Sequence, residues 1–274
     1  MLQPLETLPA SVCQRLVGVL CDIDDTLTWH GKLIPSAFSG MHRLQQSGLL
    51  VVPVTGRPGG WVDQIARMWP VDGVVGENGG LWFYMDQDGL QRRFVQPHNQ
   101  REENRERLAA LGLQILASVP GTALASDQPY RELDLAIDFC EDVQRLPETE
   151  VDRIVACFEA AGATCKVSSI HVNGWYGQFD KLRGFEGLLA DRWQTPLSEA
   201  TGQWLYVGDS ANDAPMFEAF ENSVGVANVS DFLHRMDHHP KWVTPSPGGH
   251  GFTELVDHIL TARSPSPSGD SPQS

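Results

Sequence analysis

The chain has 274 residues, 41% of them hydrophobic and 20% charged, and a formal net charge of −15 at pH 7. That is enough apolar material for one large domain or two modest ones. No Lys/Arg-rich run offsets the negative charge, which argues against nucleic acid as a partner, and no apolar run is long enough to span a membrane. Met1 to Arg15 lack a basic region followed by an apolar stretch, so no secretory leader is expected and the chain is assigned to the cytoplasm. Cys13, Cys21, Cys140, Cys157 and Cys165 are scattered, with no C-x-x-C spacing. A zinc site or disulfide framework is therefore not expected.

Leu16 to Cys21 is consecutively apolar and reads as a buried strand. Pro35 to Gln46 reads as a helix, with Pro35 in the first turn and Gly48 as the stop. Leu49 to Val54 is a second strand, Gly60 to Trp69 a short helix ended by Pro70, and Asp72 to Val75 a third strand. This β-α-β-α-β order predicts a parallel sheet with helices on both faces. The character then changes. Leu81 to Met85 and Leu90 to Val95 read as a hairpin around Asp86-Gln87-Asp88-Gly89, and Asn99 to Ala117 as an amphipathic helix. Arg131 to Phe139 alternates and predicts a strand with one wet face. Glu148 to Ala161 reads as a helix and Thr164 to Val172 as one further strand. The parallel pattern resumes with a helix over Phe179 to Trp193, a buried strand over Trp204 to Val207, and shorter elements up to a last helix, Gly251 to Ala262.

The expected fold class is therefore α/β: a Rossmann-like three-layer core with a parallel sheet, interrupted by an inserted α/β cap domain. The expected boundaries are 1–81 and 173–263 for the two parts of the core and 82–172 for the insertion. A tail over 264–274, without hydrophobic residues, is expected to be disordered.

Four predicted strand ends carry chemistry-bearing residues. The first, Val19-Leu20-Cys21-Asp22-Ile23-Asp24-Asp25, ends an apolar run in three carboxylates within four residues. Carboxylates that close repel one another, and a hard divalent cation such as Mg²⁺ would relieve them while leaving room for a substrate phosphate. Ligands of open α/β sheets also lie outside the carboxyl ends of the strands. Asp22 is a candidate nucleophile toward phosphorus, and Asp24 a candidate acid and then base; an ordinary helix cap before Thr26 is the alternative. The second, Thr55-Gly56-Arg57, offers a hydroxyl and a backbone N–H to an anion, with added charge from Arg57; capping by Thr55 competes with this. The third is Asp180-Lys181. Its lysine matters only if the fold carries it to the carboxylates. The fourth is Gly208-Asp209-Ser210-Ala211-Asn212-Asp213. Capping accounts for Asn212 or Asp213 but not for Asp209 as well.

These four motifs together resemble those of the haloacid dehalogenase-like phosphohydrolases: Asp22-Ile23-Asp24-x-Thr26-Leu27, Thr55-Gly56-Arg57, Lys181 and Gly208-Asp209-x-x-Asn212-Asp213. The resemblance covers roughly 16–262. An insertion between the second and third motifs, Glu77-Asn78-Gly79 before it, and Val224 to Asn228 after the fourth motif are similar to subfamily IIB, which contains sucrose-, mannosyl-3-phosphoglycerate and trehalose-phosphate phosphatases and eukaryotic phosphomannomutase. It implies Asp22, Asp24 and Lys181 as catalytic residues, and Mg²⁺ held by Asp22, the Asp24 backbone carbonyl and Asp209, with Asp213 behind. It also implies Thr55, Gly56, Arg57, Asn78 and Asn212 around a phosphorylated small metabolite. His171 and Asn173, where the insertion returns to the core, are candidate substrate contacts, with a simple hinge strand as the equal alternative. Asp127, Gln128 and Arg131 are weaker ones, and His234, His238 and His239 read as surface residues. A phosphomutase sharing every core residue, or a catalytically silent sugar-phosphate sensor, are the competing functions.

Overall fold

The computed structural model describes residues 2–264, so nearly all of the tail expected to be disordered lies outside the described residues. In chain order, β1 (Gln3–Pro4) and α1 (Ala10–Arg15) lead into β2 (Gly18–Cys21). A small hairpin, β3 (Thr28–Trp29) and β4 (Lys32–Leu33), precedes α2 (Pro35–Gln46), β5 (Leu50–Pro53), α3 (Gly59–Met68) and β6 (Val74–Gly76). There follow β7 (Leu81–Asp86), β8 (Gly89–Phe94), α4 (His98–Ser118), β9 (Ala123–Leu124), β10 (Asp134–Asp138), α5 (Glu148–Ala160), β11 (Thr164–Val167) and β12 (His171–Trp175). The chain closes with α6 (Lys181–Leu188), α7 (Leu197–Ala200), β13 (Trp204–Gly208), α8 (Ala214–Ala219), β14 (Asn222–Gly225), β15 (Trp242–Val243) and α9 (Gly248–Arg263).

The central sheet is parallel, in the order β1-β15-β14-β13-β2-β5. Apart from the exposed edge strand β1, its strands are largely buried, and alternate residues of β2 feed different layers. Val19 and Cys21 join an apolar cluster with Met41 and Leu44 of α2 and Phe252, Val256 and Ile259 of α9. Leu20 joins the opposite cluster with Phe185 and Leu188 of α6 and Met216 and Phe217 of α8. The fold class is as expected, a three-layer α/β core.

This topology positions the site. The chain runs from β2 to β5 on one side and returns through β13 on the other, so the strand order reverses at β2, the place where such sheets open a crevice. The carboxyl ends are also in register: Cys21 pairs with Val207 on one side and with Pro53 on the other, and Gly208 with Gly225. Asp22, Thr55 and Asp209 therefore leave the sheet along one edge.

The insertion forms a second, antiparallel sheet, β11-β12-β10-β9. Leu135 and Ile137 of β10 pack with Leu108, Leu111 and Ile115 of α4 and Ile154 and Phe158 of α5. Two expectations need correction here. Thr164 to Val172 is not one strand: β11 and β12 are antiparallel neighbours, turned at Ser168 to Ile170. The polar face of β10 is also not wet. Asp134 and Asp138 are buried, because side chains of the core and of the flanking loops cover that face. The hairpin β7–β8 pairs with β6, and Leu81 and Phe83 enter the apolar cluster of the core.

Candidate active site

The acidic run after β2 is held by its neighbours: Asp22 N–H donates to the Val207 carbonyl at 2.9 Å, and Val54 N–H to the Cys21 carbonyl at 2.8 Å. Asp22 is 4% exposed. Burial, opposed by Lys181, pushes its carboxyl up to about 8.

Lys181 reaches this edge because α6 starts against the loop after β6. Gly79 has φ +98°, and any Cβ there would run into the Asp180 carbonyl oxygen, so the two segments meet only with glycine. Asp180 caps α6 by accepting from Arg183 N–H. Lys181 follows, 1% exposed, with Nζ 2.7 Å from Asp22 Oδ1 and 2.6 Å from Asp213 Oδ1. Burial alone would lower the lysine, but the Asp213 and Asp22 carboxylates more than reverse this, and its affinity for the proton rises.

Asp213 also accepts from the Tyr206 hydroxyl and from the N–H groups of Asp209 (2.8 Å) and Ser210 (3.0 Å). Gly208 permits that approach, because a Cβ there would collide with Asp213 Oδ2. Both oxygens of Asp213 are thus occupied, and it fixes the lysine and the turn bearing Asp209.

Asp209 differs. It is fully buried, yet among the described residues it receives only Thr26 Oγ1 at 3.4 Å and Asn228 Nδ2 at 3.1 Å and pairs with no cationic side chain. Burial, with the Asp22 and Asp213 charges, raises its carboxyl well above the usual range. Asp22, Asp209 and Asp213 each offer an oxygen, all within 4.8 Å of one another. One lysine does not neutralise three buried carboxylates. A hard oxygen-seeking dication fits the deficit, with Asp22 and Asp209 carrying the free acceptor capacity.

Around this cluster, Thr55 is fully buried and its hydroxyl accepts from Arg57 N–H at 3.0 Å. Asn212 Nδ2 donates to Asn78 Oδ1 at 3.2 Å. Asn78 holds a left-handed backbone, φ 51°, and its Nδ2 is buried without a partner beside Gly56.

Asp24 lies apart from the acidic cluster. Arg57 Nε binds both of its oxygens, at 3.0 and 2.9 Å, and Nη2 adds a third contact at 2.8 Å. The same guanidinium reaches the inserted domain: Nη2 is 2.7 Å from Glu141 Oε1 and Nη1 is 3.2 Å from Asp127 Oδ2. It also lies over the Trp61 ring, 4.4 Å from the centroid. Arg57 thus bridges the two domains. His171 Nε2 sits 2.9 Å from Glu141 Oε2, and Asn173 Nδ2 donates to Asp134 at 2.9 Å. Burial would raise Glu141, but His171 and Arg57 overrule it and hold the carboxyl at about 2. Glu141 escaped the sequence reading, since a loop acid carries no local signal, and Asn228 entered it only as the last residue of the Val224-to-Asn228 motif, without a role.

The fold and the crevice define a capped α/β protein with an acidic, lysine-bearing site at its topological switch point. Residues 19–101 match the family model described as haloacid dehalogenase-like hydrolase. No curated protein matches the chain. Solved structures share the fold at low identity. A Thermoplasma acidophilum protein is 19% identical (TM-score 0.65, covering 89% of this chain and 99% of that one). The Synechocystis sucrose-phosphatase, solved with sucrose and phosphate, is 16% identical (TM-score 0.61, covering 90% and 98%). The C-terminal domain of C. albicans trehalose-6-phosphate phosphatase is 12% identical (TM-score 0.68, covering 96% and 100%). Among the described residues, no helix is long and apolar enough to cross a membrane.

Proposed function

We propose that the protein is a Mg²⁺-dependent phosphatase of a small phosphomonoester, a sugar phosphate or phosphorylated sugar conjugate, working through an aspartyl-phosphate. The observation that carries this reading is the placement of Lys181 against Asp22, with Asp209 buried beside them and lacking a cation. The names of the sucrose- and trehalose-6-phosphate phosphatases that share the fold support the substrate class.

An oxygen of Asp22 attacks phosphorus, and the ester P–O bond breaks as Asp24, in its acid form, gives its proton to the departing alcohol oxygen. Asp24 then takes a proton from water, whose oxygen attacks phosphorus; the bond to Asp22 breaks and inorganic phosphate leaves. Lys181 opposes the upward pull of burial on Asp22, favouring its nucleophilic carboxylate form, and faces the transferring oxygens. Thr55, the Gly56 N–H, Asn78 and Asn212 hold the remaining oxygens. Asp24 is released from Arg57 to act, and Glu141 and Asp127 are in place to keep the guanidinium. Asp22 and Asp209, with the Asp24 backbone carbonyl, would hold Mg²⁺, which when bound neutralises charge on the transferring group.

Phosphate release from an aryl phosphate and a set of sugar phosphates, with and without Mg²⁺, tests this. The expected result is Mg²⁺-dependent release that Asp22→Asn abolishes while its far-UV circular dichroism stays native. Full turnover in Asp22→Asn overturns the mechanism.

A further inference from the structure

The seam between the cap and Asp24 is lined by acids. Glu141 and Asp127 are the cap side chains that touch Arg57, and Arg57 in turn holds Asp24, so one guanidinium serves three carboxylates. Neither cap acid is a loose surface charge. The turn carrying Glu141 is pinned by Asp138, which accepts N–H groups of Cys140 (2.8 Å), Glu141 (2.7 Å) and Asp142 (2.8 Å). Asp127 is fixed by Arg131, whose Nε and Nη2 lie 3.1 and 2.9 Å from Oδ1 and whose Nη1 also anchors on the Gly56 carbonyl at 2.8 Å. The charge of Arg131 is itself spent on Asp127 and Asp134.

Asn78 Nδ2, on the core side of this seam, is buried and without a partner among the described residues, whereas the Ser169 hydroxyl of the cap is engaged by Asp25. The carboxylates of Asp24, Asp127, Asp134 and Glu141 outnumber the guanidinium groups of Arg57 and Arg131, and one free amide donor is at hand. A hydroxyl suits such a surface, because it donates to a carboxylate and accepts from an amide. A second phosphate or a carboxylate can only accept, and here it meets fixed like charge.

We propose that Glu141 and Asp127 form a leaving-group subsite that selects esters of uncharged polyols and rejects anionic ones, bisphosphates and phosphorylated carboxylic acids alike. The inference rests on the phosphatase reading above. It also sets the chain apart from a mutase, which must rebind a doubly phosphorylated intermediate.

The test uses the full chain with Mg²⁺ and four probes: p-nitrophenyl phosphate, a hexose 6-phosphate, 3-phosphoglycerate and a hexose 1,6-bisphosphate. Wild type is expected to favour the hexose monophosphate over both anionic esters by about 10- to 100-fold in kcat/KM, the penalty of one like charge a few ångströms away. Glu141→Gln and Asp127→Asn, which keep shape and remove charge, are expected to compress that ratio at least about fivefold, mainly through KM of the anionic esters. Equal or better turnover of the anionic esters by wild type overturns the proposal, as does a ratio that neither variant moves. Absence of phosphate release from every probe, the aryl phosphate included, overturns the phosphatase reading instead. Calorimetric affinities of the same esters then decide the charge rule, and equal affinity for charged and uncharged esters overturns it.

Discussion

Lys181→Met removes the one positive side chain that, among the described residues, contacts Asp22 and Asp213. The side chain is similar in volume, so packing is largely kept and charge is what changes. The lysine makes two buried ion pairs, at 2.7 and 2.6 Å, and breaking such a pair from one side costs about 3–5 kcal/mol because the remaining charge is stranded. The three carboxylates left behind lie within 4.8 Å of one another, where each pair of charges repels by about 3–4 kcal/mol at an effective dielectric of about 20. The melting temperature is expected to fall by about 10 °C in metal-free buffer. The sign with pH follows from Asp22, whose carboxyl is raised from 3.8 to about 8 even with the lysine present. A raised folded-state value contributes stability that is fully present below the unfolded value and lost as pH rises through the folded one. The variant is therefore expected to melt higher near pH 5 than near pH 8, and Mg²⁺ is expected to lift its melting point more than that of wild type. Phosphate release should drop about 10²- to 10³-fold in kcat, the usual loss of one charged donor to a transferring group. Thermal melts at both pH values, with and without Mg²⁺, read the effect. A variant that melts with wild type at both pH values and releases phosphate at the wild-type rate would refute the reasoning.

Other expectations follow from the same geometry. Arg57→Ala frees Asp24 and leaves Asp127 to Arg131 and Glu141 to His171 alone, and should cost about 10- to 100-fold in kcat/KM. Arg57→Lys should restore little, because an ammonium cannot make the forked contact to Asp24; steady-state kinetics of the two variants check this. Glu141 has its folded-state value depressed to about 2 from 4.5, so its contribution to stability is present above the unfolded value and lost as pH falls through the folded one. The stability difference between wild type and Glu141→Gln, from urea melts, should therefore shrink between about pH 5 and pH 2. Gly79→Ala combines a left-handed backbone with a clash against the Asp180 carbonyl. It should destabilise by about 2–4 kcal/mol and lower kcat, because the backbone that must move carries Lys181.

The core was readable because each part carries its own signal. Buried parallel strands write continuous apolar runs, and chemistry at their carboxyl ends interrupts those runs abruptly, as at Cys21-Asp22 and Gly208-Asp209. The cap was less readable. Ser168-Ser169-Ile170 turns the chain without glycine or proline, so β11 and β12 read as one strand. The polar face of β10 looked solvent-exposed because alternation reports which residues share a face but not what covers it. Here the covering groups include Glu77, 56 and 57 residues earlier, whose carboxylate accepts the N–H groups of Leu133 and Asp134. Asp127 and Glu141 gain meaning only once Arg57, 70 and 84 residues away in sequence, lies between them. No local pattern encodes such contacts.

The central claim is that Asp22 becomes covalently phosphorylated. A rapid acid quench of the full chain with Mg²⁺ and a phosphate-labelled substrate, followed by peptide mapping, measures this directly. The account predicts a hydroxylamine-sensitive label on the peptide containing Asp22, at a level that falls as inorganic phosphate appears, and no label in Asp22→Asn. Phosphate release in step with substrate loss and no protein-bound label at any time, under conditions where breakdown of the intermediate is slowed by Asp24→Asn, would contradict it.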